Sequence, residues 1–125
     1  EVKAAAAALV AAFLAAPAAW AEEADAGARA FQKCISCHSL DRAETELSGP
    51  TLAGIVGRRA AAVAGFGYSP AMRRAGAEGL VWTADALHRY LADPLGLMPD
   101  TTMSFAGVRD AGERRALIEY LRRFE

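Results

Sequence analysis

Residues 33–40 read Lys-Cys-Ile-Ser-Cys-His-Ser-Leu, and no other stretch constrains the chain as much. Cys34 and Cys37 are the only cysteines, and His38, which follows at once, is one of two histidines, the other being His88. On a helical turn, positions three and four apart share one side. Both thiols and the imidazole therefore project together.

Three chemistries suit such a triplet. A thioredoxin-type dithiol needs a βαβ setting, and the sequence shows no period-two strand pattern. A structural zinc site takes four ligands. Only Cys34, Cys37, His38 and His88 are available, and the adjacent pair Cys37–His38 strains a single tetrahedron. The third is covalent haem, for which Cys-x-x-Cys-His is the recognised attachment motif. The thiols would add across vinyl groups on adjacent pyrroles as thioethers, and the imidazole would reach the iron as proximal ligand.

The start of the chain bears on this choice. Lys3 precedes an apolar, alanine-dominated run that is broken at Pro17 and followed by Ala19-Trp20-Ala21 and then acidic residues. That order of basic, apolar and small-x-small segments fits a secretory signal peptide over residues 1–21, cut between Ala21 and Glu22. The alternative is an uncleaved anchor holding the protein to the membrane on the periplasmic side. The run is near the minimum length for a span. Export leads to an oxidising compartment, where a lone Cys-x-x-Cys pair closes into a disulfide unless another group takes the thiols. The net charge is −1, and removing residues 1–21 takes one Glu and one Lys, so nothing points to nucleic acid.

Residues 22–125 read as one all-α domain. A first helix runs from a cap at Asp25 through Gly27, Phe31 and Lys33 into the cysteine stretch. Ser69-Pro70 places an N-cap before a proline at the first helical position. Thr83 caps a third helix, with Leu87, Tyr90 and Leu91 on one face, which Asp93-Pro94 ends. Asp110, with Glu113 three later, opens a last helix whose stripe is Leu117, Tyr120, Leu121 and Phe124. Its arginines, Arg114, Arg115, Arg122 and Arg123, read mostly as a solvated face. The loops 44–67 and 95–107 are long and rich in Gly and Pro. A small domain holds such loops only around something large.

In order along the chain stand GARAFQKCISCH, SGPTLAGIVGRR, GFGYS, LVW, YLADP, MPDTTMSFAG and ERRALIEYL. This series resembles the class I c-type cytochromes, soluble monohaem proteins of the mitochondrial-like and bacterial periplasmic kind. The resemblance covers essentially all of residues 22–125 and implies the cytochrome c fold, four to five helices and long loops wrapped around one covalent haem c. It implies that Cys34 and Cys37 carry the haem, that His38 ligates the iron, and that the Pro50 carbonyl accepts the other ring N–H of His38. Arg58, Tyr68, Trp82 and Thr101 would contact or shield the propionates, and Tyr90 would sit near a methionine sulfur. Gly27 and Phe31 would pack on Leu117 and Tyr120.

For the second axial ligand the candidates are His88, Met72, Met98 and Met103. His88 reads as an exposed helical residue and Met72 as a core filler. Met98 precedes Pro99, which favours extended backbone. Met103 follows a segment able to turn the chain back, and only Met103 matches the family's order of proline, threonine, methionine and phenylalanine. The expected ligand is therefore Met103.

The implied function is one-electron transfer, not catalysis. Implied partners are a quinol–cytochrome c oxidoreductase or periplasmic dehydrogenase as donor and a terminal oxidase as acceptor, met by a monomer with no metal besides haem iron. The rivals are a peroxidase or gas-binding sensor with an open iron, and a fixed electron-transfer subunit of a dehydrogenase complex. One departure from the family stands out. The lysine ring expected around the haem edge is reduced to Lys33, and Thr102 stands where a lysine is common.

Overall fold

The computed structural model describes Lys3 and residues 18–125. Most of the expected leader, residues 1–21, therefore lies outside the described residues. Five helices follow one another: α1 (Ala18–Phe31), α2 (Pro70–Ala77), α3 (Ala84–Ala92), α4 (Pro94–Leu97) and α5 (Ala111–Leu121). Among the described residues the nearest thing to a strand is an isolated antiparallel bridge between Arg59 and Val81. No described helix is long and apolar enough to cross a membrane.

Local chemistry sets most of the boundaries. Ser69 accepts from the Met72 amide ahead of Pro70. Thr83 accepts from the Ala86 amide at 3.1 Å, and Asp110 from the Glu113 amide at 2.7 Å. Each bond satisfies an amide that the first helical turn leaves without a partner. Two expectations need correction. Asp25 is not a cap: it lies inside α1, whose described residues already include Ala18, because Ala18-Ala19-Trp20-Ala21-Glu22-Glu23-Ala24 is dominated by strong helix formers and continues the helix upstream of Asp25. The loop after α3 is not structureless at its start. Asp93 accepts from the Gly96 amide at 3.0 Å and nucleates the single turn α4.

The main packing contact is between α1 and α5. A Cβ on Gly27 would run into the Ala116 carbonyl and lie 2.6 Å from the Tyr120 Cβ, so only glycine permits this approach. Phe31 meets the Tyr120 ring at 5.7 Å between centroids. Phe31, Leu117, Ile118 and Leu121 are buried, joined by Leu87, Tyr90 and Leu91 of α3. Arg114 departs from the expected solvated face. It is only partly exposed and bonds inward, because the chain preceding α5 turns its carbonyls toward it.

Gly27→Ala places a methyl group against backbone that cannot move without separating the helices. It should destabilise the protein by about 1–3 kcal/mol. The check is the midpoint of urea unfolding, and an unchanged midpoint would show that the crossing has slack.

Candidate functional site

Beyond α1 the chain keeps turning. The Cys34 amide donates to the Phe31 carbonyl at 2.8 Å, and the amides of Cys37 and His38 both donate to the Cys34 carbonyl at 3.1 and 2.9 Å. That turn brings Cys34, Cys37 and His38 to one wall of a cavity of about 340 Å³. Both thiols are free. Their environments differ. Burial pushes the Cys34 thiol pKa up, partly offset by Lys33, with Cys37 adding to the rise. Hydrogen bonds from Ser48 and Ser36 pull the exposed Cys37 thiol down against a small burial effect. Ser48 has no signal in the sequence beyond its place beside Gly49-Pro50.

His38 is fixed from behind. Its Nδ1 lies 2.8 Å from the Pro50 carbonyl, which can only accept, so Nδ1 carries the proton. A Cβ on Gly49 would collide with the imidazole, so glycine is what lets the 49–50 backbone approach it. Burial lowers the His38 pKa, the Pro50 bond opposes this, and the Arg58 charge lowers it further. The ring is therefore held neutral, with Nε2 offering a lone pair.

Another wall carries the other expected group. The Met103 amide donates to Thr101 Oγ1 at 3.3 Å. Thr101 Oγ1 lies 3.1 Å from the Tyr90 hydroxyl, which donates to Met103 Sδ at 3.7 Å. With Thr101 donating to Tyr90, the three residues close a ring of hydrogen bonds that fixes the thioether. Trp82 backs Tyr90 at 4.9 Å between ring centroids. Of the other candidates, Met72 lines the cavity, while Met98 and His88 do not. His88 is partly buried rather than exposed, with Nε2 3.3 Å from Arg114 Nη2.

Arg58 and Tyr68 also line the cavity, but part of their bonding capacity is already engaged. Arg58 donates to the carbonyls of Thr51 and Ala53 at 2.9 and 3.0 Å, and the Tyr68 oxygen accepts from the Val63 amide at 3.0 Å. These bonds hold the 51–68 loop around the cavity.

The remaining wall is apolar: Leu52, Ile55, Trp82, Leu87, Leu91, Leu117 and Leu121. An apolar wall of this extent is stable only against an apolar partner. The lining, the two thiols, the neutral imidazole and the positioned thioether together suit a large, mostly apolar group bearing a metal. They fit a covalent haem.

The family model for cytochrome c matches residues 24–124. Cytochrome c type-1 of Ascaris suum is 44% identical over 78% of this chain and 84% of its own length. Cytochrome c-550 of Ancylobacter novellus is 41% identical over 78% of this chain and 92% of its own length. The structure of cytochrome cH from Methylobacterium extorquens superposes with a TM-score of 0.71 at 36% identity, covering 80% of this chain and 97% of that one. The chain belongs to the cytochrome c family. Its all-α architecture is that family's fold, its class is electron carrier rather than enzyme, and membership implies haem c as cofactor.

Burial raises the Tyr90 pKa, and the Thr101 bond opposes the rise only in part. The neutral phenol therefore contributes stability that is full below the ordinary tyrosine value of about 10 and is lost as pH climbs through the higher folded value. Tyr90→Phe should remove that alkaline loss and cost about 1 kcal/mol at neutral pH. Denaturation midpoints from pH 8 to 11.5 check this; a variant with the parent's alkaline decline would refute it.

Proposed function

We propose that this chain carries single electrons through one haem c seated in the central cavity, attached at Cys34 and Cys37, with His38 and Met103 as axial ligands of its iron. The observation that supports this most is the pairing, across one apolar cavity, of a neutral imidazole backed by Pro50 with a thioether fixed by Tyr90 and Thr101. When bound, haem c supplies a one-electron Fe(II)/Fe(III) couple, whose potential a Met/His ligand pair raises.

The chain's own residues do the rest. Cys34 and Cys37 hold the group to the turn that ends α1. Pro50 keeps the His38 proton on Nδ1 and so keeps Nε2 available. Tyr90 and Thr101 hold the Met103 side chain without a search through rotamers. The leucines of α3 and α5 exclude water. Arg58, Tyr68 and Trp82 supply the polar and aromatic contacts for the propionates; Thr101, whose hydroxyl proton goes to Tyr90 and whose amide donates to the Met98 carbonyl, serves Met103 instead. With His38 and Met103 both ligating, a bound haem would have no open iron site, which supports a carrier over a gas-binding or peroxidase site. His88, the only other imidazole, faces Arg114 outside the cavity lining.

The leader-like start supports export, with residues 22–125 working in the periplasm between a quinol-oxidising complex or dehydrogenase and a terminal oxidase. Docking there would use a small transient interface. Of the exposed residues lining the cavity, Ser36, Cys37, Ser48, Thr102 and Ser104 carry no formal charge in a protonated or thioether-bonded state. Lys33 is paired with Glu113, and Arg59 donates to the Gly76 carbonyl at 3.1 Å. Among the described residues Arg59 is therefore the one exposed lining residue whose formal charge no carboxylate offsets, against the ring of lysines in a lysine-ringed relative.

Met103→Ala should abolish the far-red sulfur-to-iron charge-transfer band, lower the potential and open the iron to carbon monoxide. Met98→Leu should leave all three nearly unchanged, and the reverse pattern would overturn the ligand assignment. Reduction rates should also respond less to ionic strength than those of a lysine-ringed relative, since screening acts on exposed charge. A steep fall with salt would show that Arg58, Arg73 or Arg74 steers the encounter instead.

A further inference from the structure

Helix α4 leaves two leucines without a core to join. Pro94 is fully buried and Met98 packs partly buried against the core, so the inward side of this single turn is already taken. Leu95 and Leu97 stay 47% and 57% exposed, with exposed Gly96 between them adding no polar side chain. The turn is nonetheless well tied. Asp93 accepts from the Gly96 amide, the Leu97 amide donates to the Asp93 carbonyl at 3.0 Å, and the Met98 amide to the Pro94 carbonyl at 2.9 Å. Holding apolar side chains in water on a fixed turn reduces the ordering cost of covering them.

This turn leads directly into the mouth of the cavity. The Thr101 amide donates to the Met98 carbonyl at 3.0 Å, and Thr102, Met103 and Ser104 line the cavity. On the other wall, Ile35 is 48% exposed in the cysteine turn, between the lining residues Cys34 and Ser36. Exposed apolar side chains therefore border the mouth from both walls. A lone exposed leucine is ordinary, whereas several around one functional opening mark a contact surface.

Charge decides among the possible occupants. From Tyr90 to Val108 the chain has no Lys, Arg or His, and its only charged residues are Asp93 and Asp100, both exposed. Neither forms an ion pair among the described residues. An anionic lipid surface would be repelled by these carboxylates. A second copy related by a two-fold axis would set the same acidic flanks against each other. A protein face with an apolar centre and a basic margin has neither penalty, and it matches the usual build of a transient interface.

We propose that α4 is a docking element for the redox partner, and that the partner's face is apolar where it covers Leu95 and Leu97 and basic where it meets Asp93 and Asp100. The electron-exchange role rests on the reading of this chain as a carrier; the chemistry of the surface does not.

The test presents that chemistry to the haem-loaded protein on gold coated with mixed monolayers, one with methyl and ammonium termini and one with methyl and carboxylate termini. Bound mass gives the affinity, voltammetry gives the electron exchange, and oxidation by hexacyanoferrate serves as the diffusing control. The parent should bind the methyl–ammonium layer about tenfold more tightly than the methyl–carboxylate layer, and Asp100→Lys should remove that preference. Leu95→Ser with Leu97→Ser should weaken binding to the methyl–ammonium layer about tenfold and leave the hexacyanoferrate rate within about twofold. Should the double variant fold poorly, Leu97→Ser and Asp100→Lys still decide. Equal binding of the parent to both layers, or leucine variants that bind like the parent, would overturn the proposal. So would binding to phosphatidylcholine–phosphatidylglycerol vesicles, or self-association in sedimentation, that Leu97→Ser abolishes. Binding as expected, with no one-electron wave and no reaction with hexacyanoferrate, would support the docking chemistry and overturn the carrier reading instead.

Discussion

Gly27 lets α1 lie directly on Ala116 and Tyr120 of α5, and the rest of the domain is arranged from that crossing. The cysteine turn is the continuation of α1, and Leu117 and Leu121 are the inner face of α5. Bringing the two helices together therefore brings the cysteine turn against its apolar wall. A side chain at position 27 would push the helices apart and move both walls at once. Interiors are close-packed and do not absorb such shifts locally.

Around that pair, much of the chain serves to place two groups. The 49–58 loop supports His38 through Pro50 and Gly49, and Arg58 ties the same loop to itself through Thr51 and Ala53. Tyr90 of α3 and Thr101 of the following segment hold Met103. The supports are fixed donors and acceptors on separate elements, so little rearrangement is required of the protein when charge at the centre changes by one. An electron carrier benefits from that stiffness.

Much was legible in the residues. The caps at Ser69, Thr83 and Asp110 announced their helices, since a short oxygen-bearing side chain before an apolar-periodic run has a local purpose. The turn of Cys34, Cys37 and His38 was readable for the same reason: its bonds span three or four residues. What misled was also local. Asp25 has the chemistry of a cap, yet the alanine-rich stretch before it carries the helix through. Arg114 looked like one more surface arginine among Arg115, Arg122 and Arg123. Only the folded path of residues 107–109 turned two carbonyls toward it.

The sequence by itself determined the helical class and the family and pointed to the attachment chemistry, because those depend on residue types at fixed short spacings and on an ordered series of motifs. Residue spacing could not decide which side chains meet across the cavity; the Tyr90–methionine contact and the choice of Met103 leaned on the family resemblance. Tyr90 is 11 positions from Thr101 and 13 from Met103, and His88 is 26 from Arg114. Those meetings depend on where α3 and α5 come to rest, and that is set by burial of a shared core rather than by any local preference. Tertiary structure therefore decided that Met72 lines the cavity beside Met103 while Met98 does not, and that the second histidine faces an arginine.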